Sequence, residues 1–209
     1  MLRLIARELR NHAPFTALGA VTGIIVMVIL VFGNVLPQVS PISHTVFYVL
    51  HPLHVALSAV VTTALYKTRS QGRAKIWAII LIGYIGSVGI GTLSDSVIPY
   101  LGESLLSLPN RGIHIGFLEE PQIVNPAAFA GIALGYWRPT TKLPHFGHVL
   151  LSTWASLFHV VMALEGTVNL MTLSFIFVIL FLGVWLPCCT SDIVFPLLFT
   201  NQNLLHEHG

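Results

Sequence analysis

Almost every charge in this chain is confined to short connections between long apolar runs. The runs extend over Pro14–Leu36, His44–Tyr66, Ile76–Tyr100, Val124–Trp137, Leu143–Leu164 and Val168–Phe199. A hydrocarbon layer about 30 Å thick is crossed by a helix of roughly 20 such residues. Helices suit that setting because each backbone amide finds its partner within its own segment. Charged residues make up only 9% of the chain and apolar ones 55%, against about 25% charged in soluble domains. So few charges cannot cover a water-facing surface. The fourth run is short and the sixth long, but the pattern predicts an all-α polytopic membrane protein with six transmembrane helices. The first run is too long for the apolar core of a signal peptide, and no small-residue cleavage site follows it, so it reads as a true span.

The basic residues orient the spans. Arg3, Arg7 and Arg10 precede the first; Lys67, Arg69, Arg73 and Lys75 lie between the second and third; Arg138 and Lys142 lie between the fourth and fifth. Only Arg111 falls elsewhere. With six spans these three segments share one side, which the positive-inside bias makes cytoplasmic. Both termini are then cytoplasmic, in a multi-pass protein of the cell (inner) membrane. The pI of about 8.7 reflects this asymmetry and implies no nucleic-acid partner. Cys188 and Cys189 are adjacent, a spacing that rarely forms a structural disulfide.

Inside the apolar runs the sequence repeats. His51-Pro-Leu-His54-Val-Ala-Leu-Ser58 returns as His145-Phe-Gly-His148-Val-Leu-Leu-Ser152, and Ser94-Asp95-Ser-Val-Ile-Pro99-Tyr-Leu as Ser191-Asp192-Ile-Val-Phe-Pro196-Leu-Leu. The offsets are 94 and 97 residues, and the order is kept. A weaker echo matches Pro14, Gly19 and Gly23 to Pro126, Gly131 and Gly135, with Glu8 and Glu120 each six residues before the proline. The chain thus divides into halves, 1–106 and 107–209, of three spans each within one membrane domain. An odd number of spans per half makes the second enter from the opposite side. The predicted architecture is a 3+3 inverted-topology repeat about an axis in the membrane plane, as in many secondary transporters.

Helical spacing places the polar residues. His51, His54 and Ser58 share one face with His44, Tyr48 and Thr62, and the fifth run repeats the stripe with His145, His148, Ser152, Ser156 and His159. Such a stripe is costly against lipid and must face protein or a water-filled cavity. Gly19/Gly23 and Gly131/Gly135 are small-xxx-small pairs that let helices approach. Pro99 and Pro196 are expected to break their helices beside Asp95 and Asp192.

Inverted topology predicts two ligand sets toward opposite faces. One is His51, His54, Asp95 and Glu120, with Glu119 nearby; the other is His145, His148 and Asp192 with Glu8 and His12. A single shared midplane site is the other arrangement the spacing permits. Imidazole with carboxylate suits a divalent transition metal such as zinc, iron, manganese, cobalt or nickel. The cation would balance the buried carboxylates, and its binding would displace histidine protons, a route to proton coupling. Blander roles compete: interhelical hydrogen bonds for single histidines, a solvated loop for Glu119, Glu120 and His114, and an arginine partner for Glu8.

The leading functional expectation is a transporter, or permease, with the metal ion as substrate and the lipid bilayer as surroundings. The alternative is a membrane-embedded metal-dependent enzyme, hydrolase-like, in which a bound metal activates water. Two sites facing opposite sides favour transport. A haem carrier fits poorly, since paired histidines one turn apart on one helix do not grip an iron from both faces. A subunit that only anchors a larger complex would use the stripes as interhelical glue. Six spans make a thin wall for a pathway, which a homodimer would thicken.

Overall fold

The computed structural model describes residues 2–71, 74–139, 142–165, 168–190, 194–196 and 198–199. Every regular element among them is helical. Six long helices follow one another: α1 (Leu2–Phe32), α2 (Leu36–Arg69), α3 (Ile76–Leu105), α4 (Pro121–Trp137), α5 (Lys142–Ala163) and α6 (Leu170–Cys189). A single turn, Gly116–Glu119, interrupts the α3–α4 connection. Among the described residues, Ala13–Phe32, Leu36–Arg69, Ile76–Leu105 and Leu170–Cys188 are long and apolar enough to cross a membrane. The chain is accordingly a membrane protein. The other two helices are shorter in their apolar parts: α4 has 17 residues, about 25 Å at 1.5 Å per residue, and the apolar part of α5 runs over Gly147–Ala163.

Prolines set two of the boundaries. Pro37 stands in the first turn of α2 and Pro121 opens α4, where the missing N–H would find no intrahelical acceptor in any case. Pro99 does not break α3. Two π-helical turns, Ile85–Gly89 and Leu93–Val97, are let into a helix that continues to Leu105. Pro99 cannot donate to the Asp95 carbonyl four residues earlier, and widening the helix over Leu93–Val97 passes that gap without a chain break. Such π turns recur where a helix carries function, and this one carries Asp95.

The bundle is built around α2. Its buried face runs through Phe47, His51, His54, Ser58, Ala59 and Thr62. Helix α5 lies antiparallel against it: Phe47 meets His159, His54 meets His148, and Leu57 meets Gly147. On another side α4 presses Gly131 so close that a Cβ there would lie 2.2 Å from the Ala56 carbonyl oxygen and 2.8 Å from Ala59 Cβ; at Gly135 it would lie 2.5 Å from the Val60 oxygen. Across the bundle α1 makes the corresponding approach to α5, with Gly19 against Thr153 and Gly23 against Leu157. The largest apolar core joins α1, α5 and α6 through Met27, Leu30, Leu157, Val161, Ile176 and Leu180. The opposite face of α1 exposes Leu18, Val21, Ile25, Ile29 and Phe32, an apolar stripe at helical spacing that lipid would cover.

These close approaches give a packing test. Gly131→Ala places its new methyl group against backbone, which cannot turn aside, and is expected to cost about 1–3 kcal/mol as overpacking. Gly89→Ala, which meets nothing nearer than Ile85 Cγ2 at 3.8 Å, serves as its control. Thermal melting in detergent should separate the two; equal melting temperatures would contradict the α2–α4 contact.

Candidate metal centre

The centre begins with a carboxylate where an apolar bundle has no room for one. Asp95 is fully buried on the second π turn of α3. Its Oδ2 accepts hydrogen bonds from His51 Nδ1 (2.8 Å) and His54 Nδ1 (2.6 Å), both from α2. Its Oδ1 accepts from Ser152 Oγ of α5 (2.6 Å) and from Ser94 Oγ (2.7 Å). Four donors from three helices therefore converge on one side chain. His51 and His54 are themselves buried, as their spacing of three residues on one face predicts once that face turns inward.

His51 stacks on Phe47 with the ring planes 8° apart, and the short Gly116–Glu119 turn closes over it: a Cβ at Gly116 would lie 2.6 Å from His51 Cδ2. His54 stacks on His148 at 5.8 Å, with Cys188 Sγ 4.0 Å from its Nε2. Because both imidazoles aim Nδ1 at one oxygen, the compact donor set is the two Nδ1 atoms with Asp95 Oδ2. These three residues could hold a metal ion. Ligand atoms around a tetrahedral zinc are about 3.3 Å apart at bonds of about 2.0–2.1 Å, so the hydrogen-bonded cluster need open only slightly to admit one. No lysine or arginine pairs with Asp95 among the described residues, and with neutral imidazoles the cluster carries one negative charge that a cation would balance.

The expected ligands are distributed unevenly. His51, His54 and Asp95 come together. His148, from the second set, stacks on His54 but stands outside the group of three; α2 begins at Leu36, eight residues before the expected His44. That adds about 12 Å of helix and puts the HxxH pair near its midpoint. Glu120 stands apart, accepting a hydrogen bond from Gln122 Nε2 (2.6 Å). The side chains of Glu8, His12 and His145, and the whole of Asp192, lie outside the described residues.

Two further clusters lie on the same side of the centre, toward the N-terminal end of α2. In the first, Glu119 rather than Glu120 reaches α2, while remaining exposed to solvent. Its Oε2 accepts from the Tyr48 hydroxyl and from His114 Nδ1, its Oε1 from the Ile115 N–H (3.2 Å), and His44 completes a group able to hold an ion. Partial burial pushes the Glu119 carboxyl up, but the hydrogen bonds from Tyr48 and His114, with the charge on His114, outweigh it and hold it below the usual glutamate range.

In the second cluster, Glu103 Oε1 lies 2.7 Å from His159 Nδ1, both residues buried. His159 Nε2 faces the Ile113 carbonyl at 3.2 Å, so the imidazole bridges the Glu103 carboxyl and the α3–α4 connection. Glu103 is not among the expected ligands, although it falls eight residues after Asp95, two turns along the same face of the third run.

No family model matches the chain, and neither a curated protein nor a solved structure is detectably similar to it.

Ser152→Ala removes one of the two hydroxyl donors to a buried carboxylate. Hydrogen bonds to charged groups contribute about 1.5–3 kcal/mol, so the variant should melt measurably earlier. Ser174→Ala, which loses only a bond to its own helix at an exposed site, should not. Indistinguishable melting curves would remove Ser152 from the Asp95 network.

Proposed function

We propose that the protein is a permease for a divalent transition-metal cation, with His51, His54 and Asp95 as the site that holds the ion within the membrane. The observation that carries this reading is the buried convergence of both histidines on one aspartate oxygen near the middle of α2. A structural role alone needs no such compact set of imidazole and carboxylate donors, and an intramembrane ionisable cluster is by default a functional one. An ion taken up at Nδ1 and Oδ2 replaces two N–H···O bonds: a neutral imidazole passes its hydrogen from Nδ1 to Nε2, whereas an imidazolium must release a proton before it can bind. Proton coupling therefore requires that the empty site hold at least one protonated imidazole.

Within this proposal the six helices all span, the two halves form an inverted repeat, and both termini lie in the cytoplasm of a cell whose inner membrane holds the protein. Contacts between the halves support it. Carrying Gly131–Ala59 to its counterparts in the repeat gives Gly19–Thr153, and Gly135–Thr63 gives Gly23–Leu157; all four contacts are made. Gly86 meets Phe195 and Gly183 meets Ile98, a pair of contacts related by the 97-residue offset at both partners. His54 and its own counterpart His148 meet each other, as residues beside a two-fold axis would. The second set, His145, His148 and Asp192 with Glu8 and His12, would then adjoin the first, and the ion would pass between them as the halves rock.

The test is metal flux. Purified protein in liposomes loaded with a metal-sensitive dye should admit at least one of zinc, iron(II), manganese, cobalt or nickel. Asp95→Asn and the His51→Ala/His54→Ala double variant should reduce the initial rate to that of empty liposomes. Absence of saturable metal binding would end the proposal, and so would flux unchanged in these variants. Stoichiometric binding with no flux of any of the five ions would favour the embedded metal-dependent enzyme instead.

A further inference from the structure

We infer that His44, His114 and Glu119 form a second divalent-metal site, partly open to solvent, which loads the buried centre. As a loading site it rests on the transport reading; as a metal site it stands on its own donors. One atom from each of the three lies within 4.8 Å of the others, and the donor set, two imidazoles and one carboxylate, repeats that of the buried centre. Here His44 and Glu119 are exposed and His114 half-buried. An ion can therefore arrive with part of its hydration shell, which the enclosed centre does not allow.

The three side chains come from separate stretches of chain that the fold draws together. His44 rides on α2, two turns before His51, or about 10 Å along the axis. His114 and Glu119 belong to the α3–α4 connection. Tyr48 and the Ile115 amide fix the Glu119 carboxylate. His114 takes φ +38°, a left-handed conformation that costs a non-glycine residue free energy and recurs at binding sites. Tetrahedral ligand spacing of about 3.3 Å is within reach of small rotations of the half-free rings.

Position ties this site to the buried one. His114 packs edge-on against His159 at 5.4 Å, Phe47 packs against His159 at 5.4 Å, and Phe47 stacks on His51 at 5.3 Å. The Gly116–Glu119 turn that supplies Glu119 at one end covers His51 through Gly116 at the other. One short element thus touches both donor sets, so an ion drawing on Glu119 pulls on the cover of the inner site.

Cobalt(II) titration of the full chain in detergent, followed by its visible absorption and by equilibrium dialysis, tests the site. Wild type should bind two equivalents. His44→Ala/His114→Ala should bind one, and His51→Ala/His54→Ala should retain the other. Glu119→Gln, which keeps shape and loses charge, should weaken the outer equivalent at least tenfold. In liposomes the outer variants should raise the half-saturating metal concentration about tenfold while leaving the maximal rate near wild type. Circular dichroism and a monodisperse elution profile confirm that each variant is folded; should the double alanine variant fail there, Glu119→Gln alone decides. One equivalent in wild type, lost only with His51 and His54, would overturn this site and leave the transport reading intact. Retention of only the His44/His114-dependent equivalent would do the reverse.

Discussion

The bundle depends on how it accommodates the Asp95 carboxylate. A carboxylate without partners in a medium of low dielectric is so costly that it would protonate or the structure would rearrange. Here both oxygens are occupied, Oδ2 by two imidazoles of α2 and Oδ1 by hydroxyls of α3 and α5. The three helices cannot separate or rotate past one another without stripping donors from that side chain. In lipid, where apolar surface gains little by leaving its surroundings, such polar contacts together with close van der Waals packing are what specify helix partners. The glycine contacts of α4 on α2 and of α1 on α5 supply the packing. The π turn at Leu93–Val97 lets α3 carry Asp95 past a proline without a break.

The sequence read most clearly where cost and periodicity acted together. A histidine stripe on apolar helices must face inward, and a 3.6-residue period says which side chains share that face, so His51, His54, Asp95, Ser152 and His159 were all visible as inward-facing groups. Depth along a helix was not. Pro37 starts α2 two turns early, and nothing in the apolar pattern marks whether Ser40 and Ser43 lie inside or outside the helix. Those two turns carried the first HxxH pair from a face of the protein to the middle of its helix, where it met His148.

The choice between Glu119 and Glu120 was illegible for a different reason. In the short turn Gly116–Glu119 a one-residue step reverses which carboxylate faces α2. That direction is set by the left-handed backbone at His114 and by the reach of Tyr48, both tertiary facts. The expected break at Pro99 is absent because a helix that loses one hydrogen bond to a proline can widen as well as stop.

What distinguishes the two donor sets is their water. Both pair two imidazoles with one carboxylate, but the buried set is closed off and the outer one is partly open. Stripping an ion of its remaining hydration is the expensive step, and it is best taken where ligands replace the water at once. An ion held first by exposed groups and then by enclosed ones loses its shell in two instalments. Between the sets stands the Glu103–His159 pair, in which the imidazole gives a second buried carboxyl its hydrogen-bond partner. Asp95 gathers two imidazoles and two hydroxyls, with no lysine or arginine beside it among the described residues. It is the carboxylate for which a cation is the natural counterion.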